Sequence, residues 1–224
     1  MVSPPMLTDP ERRLCLAYAP AAGRAALATL WALDERFAAV LASTSESGIG
    51  AIRLAWWREA LLRLDAAAAP AEPLLQAVAA YLLPRGVSGA ALSGLEDGWL
   101  PLLGDLDARG LTDHGRERGG RLFHAAASLL GAEASEDLVR EGEGWALTDL
   151  AFHLSDRALA ERALVLARAR WDAAPRHRWP RPLRPLGILT ALARADASAG
   201  FDRPRRQGSP ARILRVLWHG LTGG

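Results

Sequence analysis

The order of apolar and polar residues along the chain repeats with a period near 3.6, and no segment alternates strictly as a β-strand does. Prolines, glycines and potential capping residues separate the repeating stretches at short intervals. The pattern predicts an all-α fold: a helical bundle of about nine to ten helices, in one domain over residues 1–224. A proline- and arginine-rich connector at 172–185 is the only plausible position for a boundary within this domain. The longer predicted helices lie at about 21–42, 52–66, 88–103, 113–131, 135–153, 156–171 and 186–197.

Two of these helices carry a charge among their apolar residues. Projected at 100° per residue, the helix that contains IRLAWWREALLRLD places Arg53 in the middle of an apolar arc that also holds Trp57. The preceding helix places Asp34 inside its own apolar arc. A single buried charge costs several kcal/mol, so each of these groups needs a partner. We therefore predict a buried Asp34–Arg53 ion pair.

The helix at 136–154 is apolar on nearly every side, which predicts a central position in the bundle. It also carries Glu143, and Asp149 with His153 at i,i+4 spacing, where a carboxylate and an imidazole can interact. Two interpretations stay open. These charges are satisfied polar contacts that fix helix register, or they line a cavity within the bundle. The candidate cavity wall consists of Asp34, Glu35, Arg53, Trp57, Glu143, Asp149 and His153.

Composition and charge narrow the class of protein. The chain has 224 residues, half of them hydrophobic, and one cysteine, which excludes an internal disulfide. No apolar run reaches the ~20 residues that cross a bilayer, and the N-terminus has no signal-peptide pattern. We therefore expect a cytoplasmic protein that lacks a metal or other cofactor.

The positive charge is concentrated in the C-terminal third. Residues 161–224 hold 13 arginines against four acidic residues, together with Trp171, Trp179 and Trp218. Arginine and tryptophan side chains bind the headgroups of anionic lipids, so peripheral contact with the inner face of a membrane is one interpretation of this third. A solvated basic face is the other interpretation, and composition alone favours it. Nucleic acid is not expected as a partner, because no recognition motif accompanies the charge.

Several segments resemble one known family. LAYAPAAGRAALATLWALDERFAAV followed by IRLAWWREAL is similar to the N-terminal part of the squalene/phytoene synthases. GEGWALTDLAFHLSD resembles the region of their second conserved helix, and PLRPLGILTALARAD resembles the C-terminal part of shorter bacterial members. The resemblance covers most of the chain and implies the isoprenoid-synthase fold.

The sequence departs from this family at the residues that carry its chemistry. Active members have two DxxxD-type motifs whose carboxylates hold Mg²⁺, and the Mg²⁺ ions bind the diphosphates of the prenyl substrates. The corresponding stretches here are AAVLA at 38–42 and DLAFH at 149–153, and DxxxD occurs nowhere in the chain. Without a metal clamp, departure of the diphosphate lacks its main electrostatic assistance.

The resemblance therefore implies a catalytically degenerate protein. It resembles the branch without Asp-rich motifs, which includes the mitochondrial complex I assembly factor, more than it resembles a working synthase. Such a protein is expected to be a membrane-peripheral module that binds a prenyl diphosphate or another isoprenoid, or that assists the subunits of a membrane-enzyme complex. The alternative is an active head-to-head prenyl transferase in which Glu35, Glu143 and Asp149 replace the lost Mg²⁺ ligands. A third possibility is a helical protein of unrelated function.

Overall fold

Helices make up all the regular structure in the described residues, which are 2–173, 178–202 and 205–224 of a computed structural model. A π-helix (His114–Gly120) joins α6 to α7 in one rod, so the eleven α-helices form ten helical units. This confirms the predicted all-α fold and its number of helices.

The α-helices are α1 (Pro10–Leu16), α2 (Ala21–Ala42), α3 (Ser47–Arg63), α4 (Pro73–Tyr81), α5 (Gly89–Ser93), α6 (Ala108–Asp113), α7 (Arg121–Leu129), α8 (Glu136–Ala151), α9 (Arg157–Asp172), α10 (Arg184–Ala199) and α11 (Pro210–Thr222). Four 3₁₀ turns lie at Leu83–Arg85, Glu96–Gly98, Leu100–Leu103 and Arg181–Leu183.

Side-chain caps fix the starts of several helices. The carboxylate of Asp9 accepts hydrogen bonds from the backbone N–H groups of Glu11 and Arg12, and Pro10 occupies the first turn of α1. Ser135 caps α8 and Asp156 caps α9 in the same way. These caps satisfy backbone donors that have no partner within the helix, so the local sequence sets where these helices begin.

Helices α2 and α8 form the centre of the bundle. Twelve residues of α2 and eleven of α8 are buried, including Trp31 and Phe37 of α2, which are fully enclosed. The π-helix, α9 and α10 all pack against α8. Burial of apolar side chains on several sides is what the nearly continuous apolar pattern of α8 predicted.

Two glycines bring the π-helix unusually close to α8. A Cβ atom placed on Gly119 would lie 2.2 Å from the carbonyl oxygen of Gly142, and one on Gly142 would lie 2.4 Å from the carbonyl oxygen of Gly119. Any side chain at either position would overlap the opposite backbone. This approach allows Arg118 on the π-helix to reach Asp149 on α8.

The predicted connector at 172–185 lies only partly within the described structure, since residues 174–177 fall outside it. After it, α10 packs against both α8 and α1, so the C-terminal segment joins the same core. The backbone N–H of Trp179 donates to the carbonyl oxygen of Gly223 at 2.8 Å. In the described part of the chain, no helix combines the length and the apolar character needed to cross a membrane.

Candidate functional site

Arg118 and Asp34 form the centre of a buried network of charged side chains. The Arg118 Nε and Nη2 atoms donate to the two carboxylate oxygens of Asp34 at 2.9 and 3.0 Å. The Oδ2 atom of Asp34, which accepts from Nη2 of Arg118, also accepts from Nη2 of Arg12 at 2.5 Å. Burial alone raises the pKa of Asp34, but the two guanidinium groups outweigh burial and the net pKa is lowered. Asp34 is therefore a fully paired carboxylate.

The guanidinium of Arg118 also binds a second carboxylate. Its Nη1 lies 3.0 Å from Oδ2 of Asp149, and its central carbon lies 4.3 and 4.8 Å from the ring centroids of Trp99 and Trp145. Burial by itself lowers the pKa of Arg118, but Asp34 and Asp149 raise it above its usual range. Two carboxylates and two aromatic faces thus satisfy one buried cation, and they join α2, α8 and the π-helix.

His114 completes the surroundings of Arg118. The His114 ring is fully buried, with Nδ1 2.6 Å from the carbonyl oxygen of Gly98 and Nε2 3.3 Å from Nη1 of Arg118. This geometry suits a neutral ring that donates through Nδ1 and accepts at Nε2. Burial first, and then the charge of Arg118, lower the pKa of His114 to about 3. The imidazole is therefore a neutral structural group near pH 7.

A chain of ion pairs continues from Asp149 to α1 and α11. Asp149 lies 3.5 Å from Nη1 of Arg205, whose Nε is 3.2 Å from Asp196 on α10. Arg212 on α11 pairs with Asp196 and donates to both carboxylate oxygens of Glu11 at 2.5 and 2.7 Å. Alternating acids and arginines thereby connect α8, α10, α11 and α1 through the interior.

A small cavity lies beside this chain. Its volume is about 20 Å³, and its walls include Arg12, Trp145, Asp149 and Arg205. A space of this size holds about one water molecule. The interior at this point is therefore filled by the protein's own charged side chains and has no room for a prenyl chain.

The predicted Asp34–Arg53 ion pair is wrong. Asp34 points to Arg12 and Arg118, whereas Arg53 is exposed on α3 and donates through Nη1 to the hydroxyl groups of Thr44 and Ser43 at 3.2 and 3.4 Å. The reason is that the apolar arc of α3 is broader than its buried face. Only its Leu54, Trp57, Ala60 and Leu61 side enters the core, and the side with Arg53 faces water.

The other predicted residues have separate surroundings and do not line one cavity. Glu35 accepts hydrogen bonds from the backbone N–H and hydroxyl of Thr8 and from the N–H of Asp9, just before α1. Glu143 pairs with Arg170 on α9 at 2.7 Å, and burial raises the pKa of Glu143. These contacts match the interpretation in which the charges fix helix positions.

His153 and Trp57 also have separate surroundings. Asp149 and His153 are the predicted i,i+4 neighbours, and Nδ1 of His153 lies 3.8 Å from Oδ1 of Asp149. However, His153 is exposed, and its Nδ1 lies closer, at 2.7 Å, to the backbone oxygen of Asp149. Trp57 is buried, with its ring edge-on to Phe37. Of the seven predicted residues, Asp149 borders the small interior cavity, and Arg53 and Trp57 border an open groove elsewhere.

The residues present do not fit the Mg²⁺ site that the alternative prediction requires. Both oxygens of Asp34 bind arginine, and Asp149 binds Arg118 and Arg205. Glu35 and Glu143 serve other contacts. No three His, Cys, Asp or Glu side chains come together in an arrangement that could hold a metal ion within the described ranges. An oxygen-coordinated cation would need several of these carboxylates to converge without arginine between them.

Helix α11 differs from an ordinary surface helix in the direction of its apolar face. A surface helix normally turns its apolar stripe to the core. In α11 the buried face carries Arg212, His219 and Gly220 together with Val216. Its solvent side holds a continuous arc of five exposed apolar residues: Ile213, Leu214, Leu217, Trp218 and Leu221. Arg215 is exposed on α11 itself, Arg206 is exposed shortly before it, and Arg178 lies beside Gly224, shortly after it.

This geometry corrects one part of the prediction for the C-terminal third. Trp171 and Trp179 are buried, at 4% and 6% exposure, so neither faces solvent. Trp218 is 66% exposed and is the tryptophan of the three that is available to a partner. The candidate membrane surface is therefore α11 and the arginines around it, not the whole third.

Comparisons with known proteins give no relative for this chain. No protein-family model matches the sequence, and no curated protein or solved structure matches it.

Proposed function

We propose that this protein is a non-catalytic module, of the squalene/phytoene-synthase-like type that its motifs resemble, which works at the surface of an anionic membrane. The observation that carries the proposal is the outward apolar arc of α11 with arginines around it. A helix that lies in the membrane interface combines an apolar face with arginines and an aromatic anchor. Trp218 is the anchor here.

The interior network supports the non-catalytic part of the proposal. The resemblance expects metal-binding carboxylates on the helices that are α2 and α8 in this structure. On these helices Asp34 and Asp149 are bridged by Arg118, at 2.9–3.0 Å. Separating either carboxylate from the guanidinium of Arg118 would leave a buried charge without a partner, which costs several kcal/mol of stability. These carboxylates therefore have a structural task that competes with binding a metal.

The membrane part makes a salt-dependent prediction. Exposed arginines close to an anionic surface contribute about 1 kcal/mol each, and this contribution falls off within a Debye length of about 10 Å at 0.1 M salt. Insertion of Leu217 and Trp218 adds an apolar term that salt does not weaken. Binding should therefore require anionic lipid at physiological salt and should decrease as salt rises.

Vesicle flotation tests this proposal. The purified chain is mixed with vesicles of phosphatidylcholine alone, or with added phosphatidylglycerol. We expect flotation with the anionic vesicles, and loss of flotation for Leu217→Glu and Trp218→Glu. Val165→Glu on α9 is the matched control, since Val165 is also an exposed apolar residue, at 58%. Equal flotation of all variants, or equal binding to neutral vesicles at high salt, would contradict the proposal.

A second assay addresses catalysis separately. Farnesyl diphosphate is incubated with the protein and Mg²⁺, and release of inorganic diphosphate is measured. We expect no release above the protein-free rate. Mg²⁺-dependent release would instead favour the active prenyl transferase, because in that function a bound metal assists departure of the diphosphate.

A further inference from the structure

An open groove between α2 and α3 has the chemistry of a ligand site. It has a volume of about 300 Å³ and is lined by Arg36, Ala39, Val40, Ser43, Arg53, Trp56 and Trp57. Small-molecule sites in proteins begin at about this size. It contains two cations, a hydroxyl group and two indole rings, and no acidic side chain is part of the lining.

Both arginines of this groove lack an ion-pair partner among the described residues. In the described part of the chain, neither Arg36 nor Arg53 has a carboxylate within the 4.0 Å of an ion pair, whereas Arg12, Arg118 and Arg212 are each paired. Arg36 lies over the ring of Trp57, with its guanidinium carbon 5.5 Å from the centroid. Two unpaired guanidinium groups beside one groove create a local positive potential.

Local hydrogen bonds hold Arg53 in position. The hydroxyl groups of Ser43 and Thr44 donate to the carbonyl oxygen of Val40 at 3.2 and 2.6 Å, and their oxygens accept from Nη1 of Arg53. Within the described residues, the Nε and Nη2 donors of Arg53 have no protein acceptor. A guanidinium group with two free donors on adjacent nitrogens matches the oxygens of a phosphate group in a bidentate arrangement.

The rest of the groove is apolar and open to solvent. Trp56 is 49% exposed, and its ring lies edge-on to Trp57 with centroids 5.2 Å apart. Ile49, Ile52, Arg53 and Trp56 share one helical face by their i, i+3, i+4 and i+7 spacing, and both isoleucines are exposed. The exposed apolar residues of α3 therefore flank Arg53 on both sides along this face, and of these Trp56 lines the groove itself.

We propose that this groove binds an anionic amphiphile, with a phosphate group at Arg36 and Arg53 and an apolar chain against Trp56. The cations account for the anionic group, and the exposed ring of Trp56, with the apolar lining of Ala39 and Val40, accounts for the chain. Neither part alone explains why charge and apolar surface occur together here. The inference does not depend on membrane binding through α11, which uses a different helix and different residues.

A titration with a soluble amphiphile tests the proposal. Decyl phosphate, kept below its micelle concentration, is titrated into the full-length protein by calorimetry. Decanol, which lacks the charge, and inorganic phosphate, which lacks the chain, are the matched ligands. We expect decyl phosphate to bind at least about tenfold more tightly than either, since each part contributes its own interactions.

Two variants and two matched controls locate the site. Arg53→Gln should weaken decyl phosphate binding about tenfold or more, and Trp56→Ala should weaken it severalfold. Arg63→Gln removes the same charge from an exposed position of α3, and Trp218→Ala removes an exposed tryptophan from α11. Both controls should bind within about twofold of the parent. Circular dichroism establishes that all four variants are folded.

The outcomes separate this proposal from the one on membranes. Binding of decyl phosphate that Arg53→Gln abolishes would support a soluble amphiphile as the ligand. Flotation with anionic vesicles that depends on Arg53, without binding of the monomer, would support the same chemistry with a lipid headgroup as its source. Equal affinity for phosphate or decanol, or binding that is unchanged in Arg53→Gln, would overturn the proposal. Loss of flotation in Leu217→Glu alone concerns only α11.

Discussion

The guanidinium of Arg118 forms two hydrogen bonds to the carboxylate of Asp34, 84 residues earlier, in a part of the bundle that water does not reach. The same cation binds Asp149 and lies between Trp99 and Trp145. Three chain segments therefore depend on one side chain for their charge balance. This arrangement makes Arg118 the residue on which the positions of α2 and α8 depend most directly.

Replacing Arg118 with leucine should strongly destabilise the protein. The substitution leaves two buried carboxylates short of a partner, and breaking a buried ion pair in this way costs ~3–5 kcal/mol. Urea unfolding followed by circular dichroism measures the free energy of unfolding. Arg109→Leu on α6 is the control, because that side chain is 88% exposed and should change stability by less than about 0.5 kcal/mol. A cost below about 1 kcal/mol for Arg118→Leu would contradict this account.

The helical pattern predicted the fold well but missed Arg118. Apolar periodicity and caps determine where α2, α8 and α9 lie, and these helices agree with the prediction. Arg118 lies in the π-helix His114–Gly120, which adds residues to the turn and shifts the phase of every following position. A projection at 100° per residue therefore cannot place its side chain. The glycines at 115, 119 and 120 were the available signal, since three glycines in one helix indicate close backbone contact.

Arg53 shows a different limit of sequence reasoning. A projection gives the width of an apolar arc but not the part of it that neighbouring helices cover. The apolar arc of α3 includes residues on both its buried and its exposed side, so a projection places Arg53 in the core although its side chain faces solvent. Similarly, the projection identified Asp34 as buried, which is correct, but its partners Arg12 and Arg118 come from segments whose packing the sequence does not reveal.

The corrected pairing predicts opposite results for two arginines. Arg12→Ala removes a buried donor to Asp34 and to the carbonyl oxygen of Trp31, so it should destabilise the protein by ~2–4 kcal/mol. Arg53→Ala removes an exposed side chain and should cost less than ~1 kcal/mol. Both values come from chemical denaturation at pH 7. If Arg53→Ala were the more costly change, Arg53 and not Arg12 would be the partner of Asp34.

The neutral, buried His114 predicts early loss of stability in acid. Its pKa is about 3 in the fold, against about 6.5 when unfolded, so the unfolded chain binds more protons between these values. Stability from His114 is therefore complete above pH 6.5 and decreases as the pH falls, by ~2 kcal/mol at pH 5. His219, with a pKa lowered by burial to about 4, acts in the same direction. Glu96 and Glu143, whose pKa values burial raises, act in the opposite direction.

A comparison of variants isolates the contribution of His114. His114→Asn keeps a donor for the carbonyl oxygen of Gly98 but has no titratable ring, so its unfolding free energy should change less between pH 7 and pH 5 than that of the parent. His124→Asn, at an exposed position of α7, should keep the parent's slope. The free energy of unfolding is measured at pH intervals of about 0.5. Equal slopes for the parent and His114→Asn would show that His114 is not the group that titrates.

The contact between Gly119 and Gly142 predicts that one methyl group disturbs the whole network. Gly119→Ala places a Cβ 2.2 Å from the carbonyl oxygen of Gly142, so α8 and the π-helix must separate, which costs ~1–3 kcal/mol or more. Gly48→Ala in α3 is the matched control, since its Cβ meets no atom within 4 Å. There the gain in helix propensity should stabilise the protein by up to ~1 kcal/mol.

Because separation of the two helices also pulls Arg118 from Asp149, Gly119→Ala should cost less when Asp149 is already changed to Asn. Costs that add independently in this double-mutant cycle would mean that the helix contact and the ion pair are not coupled.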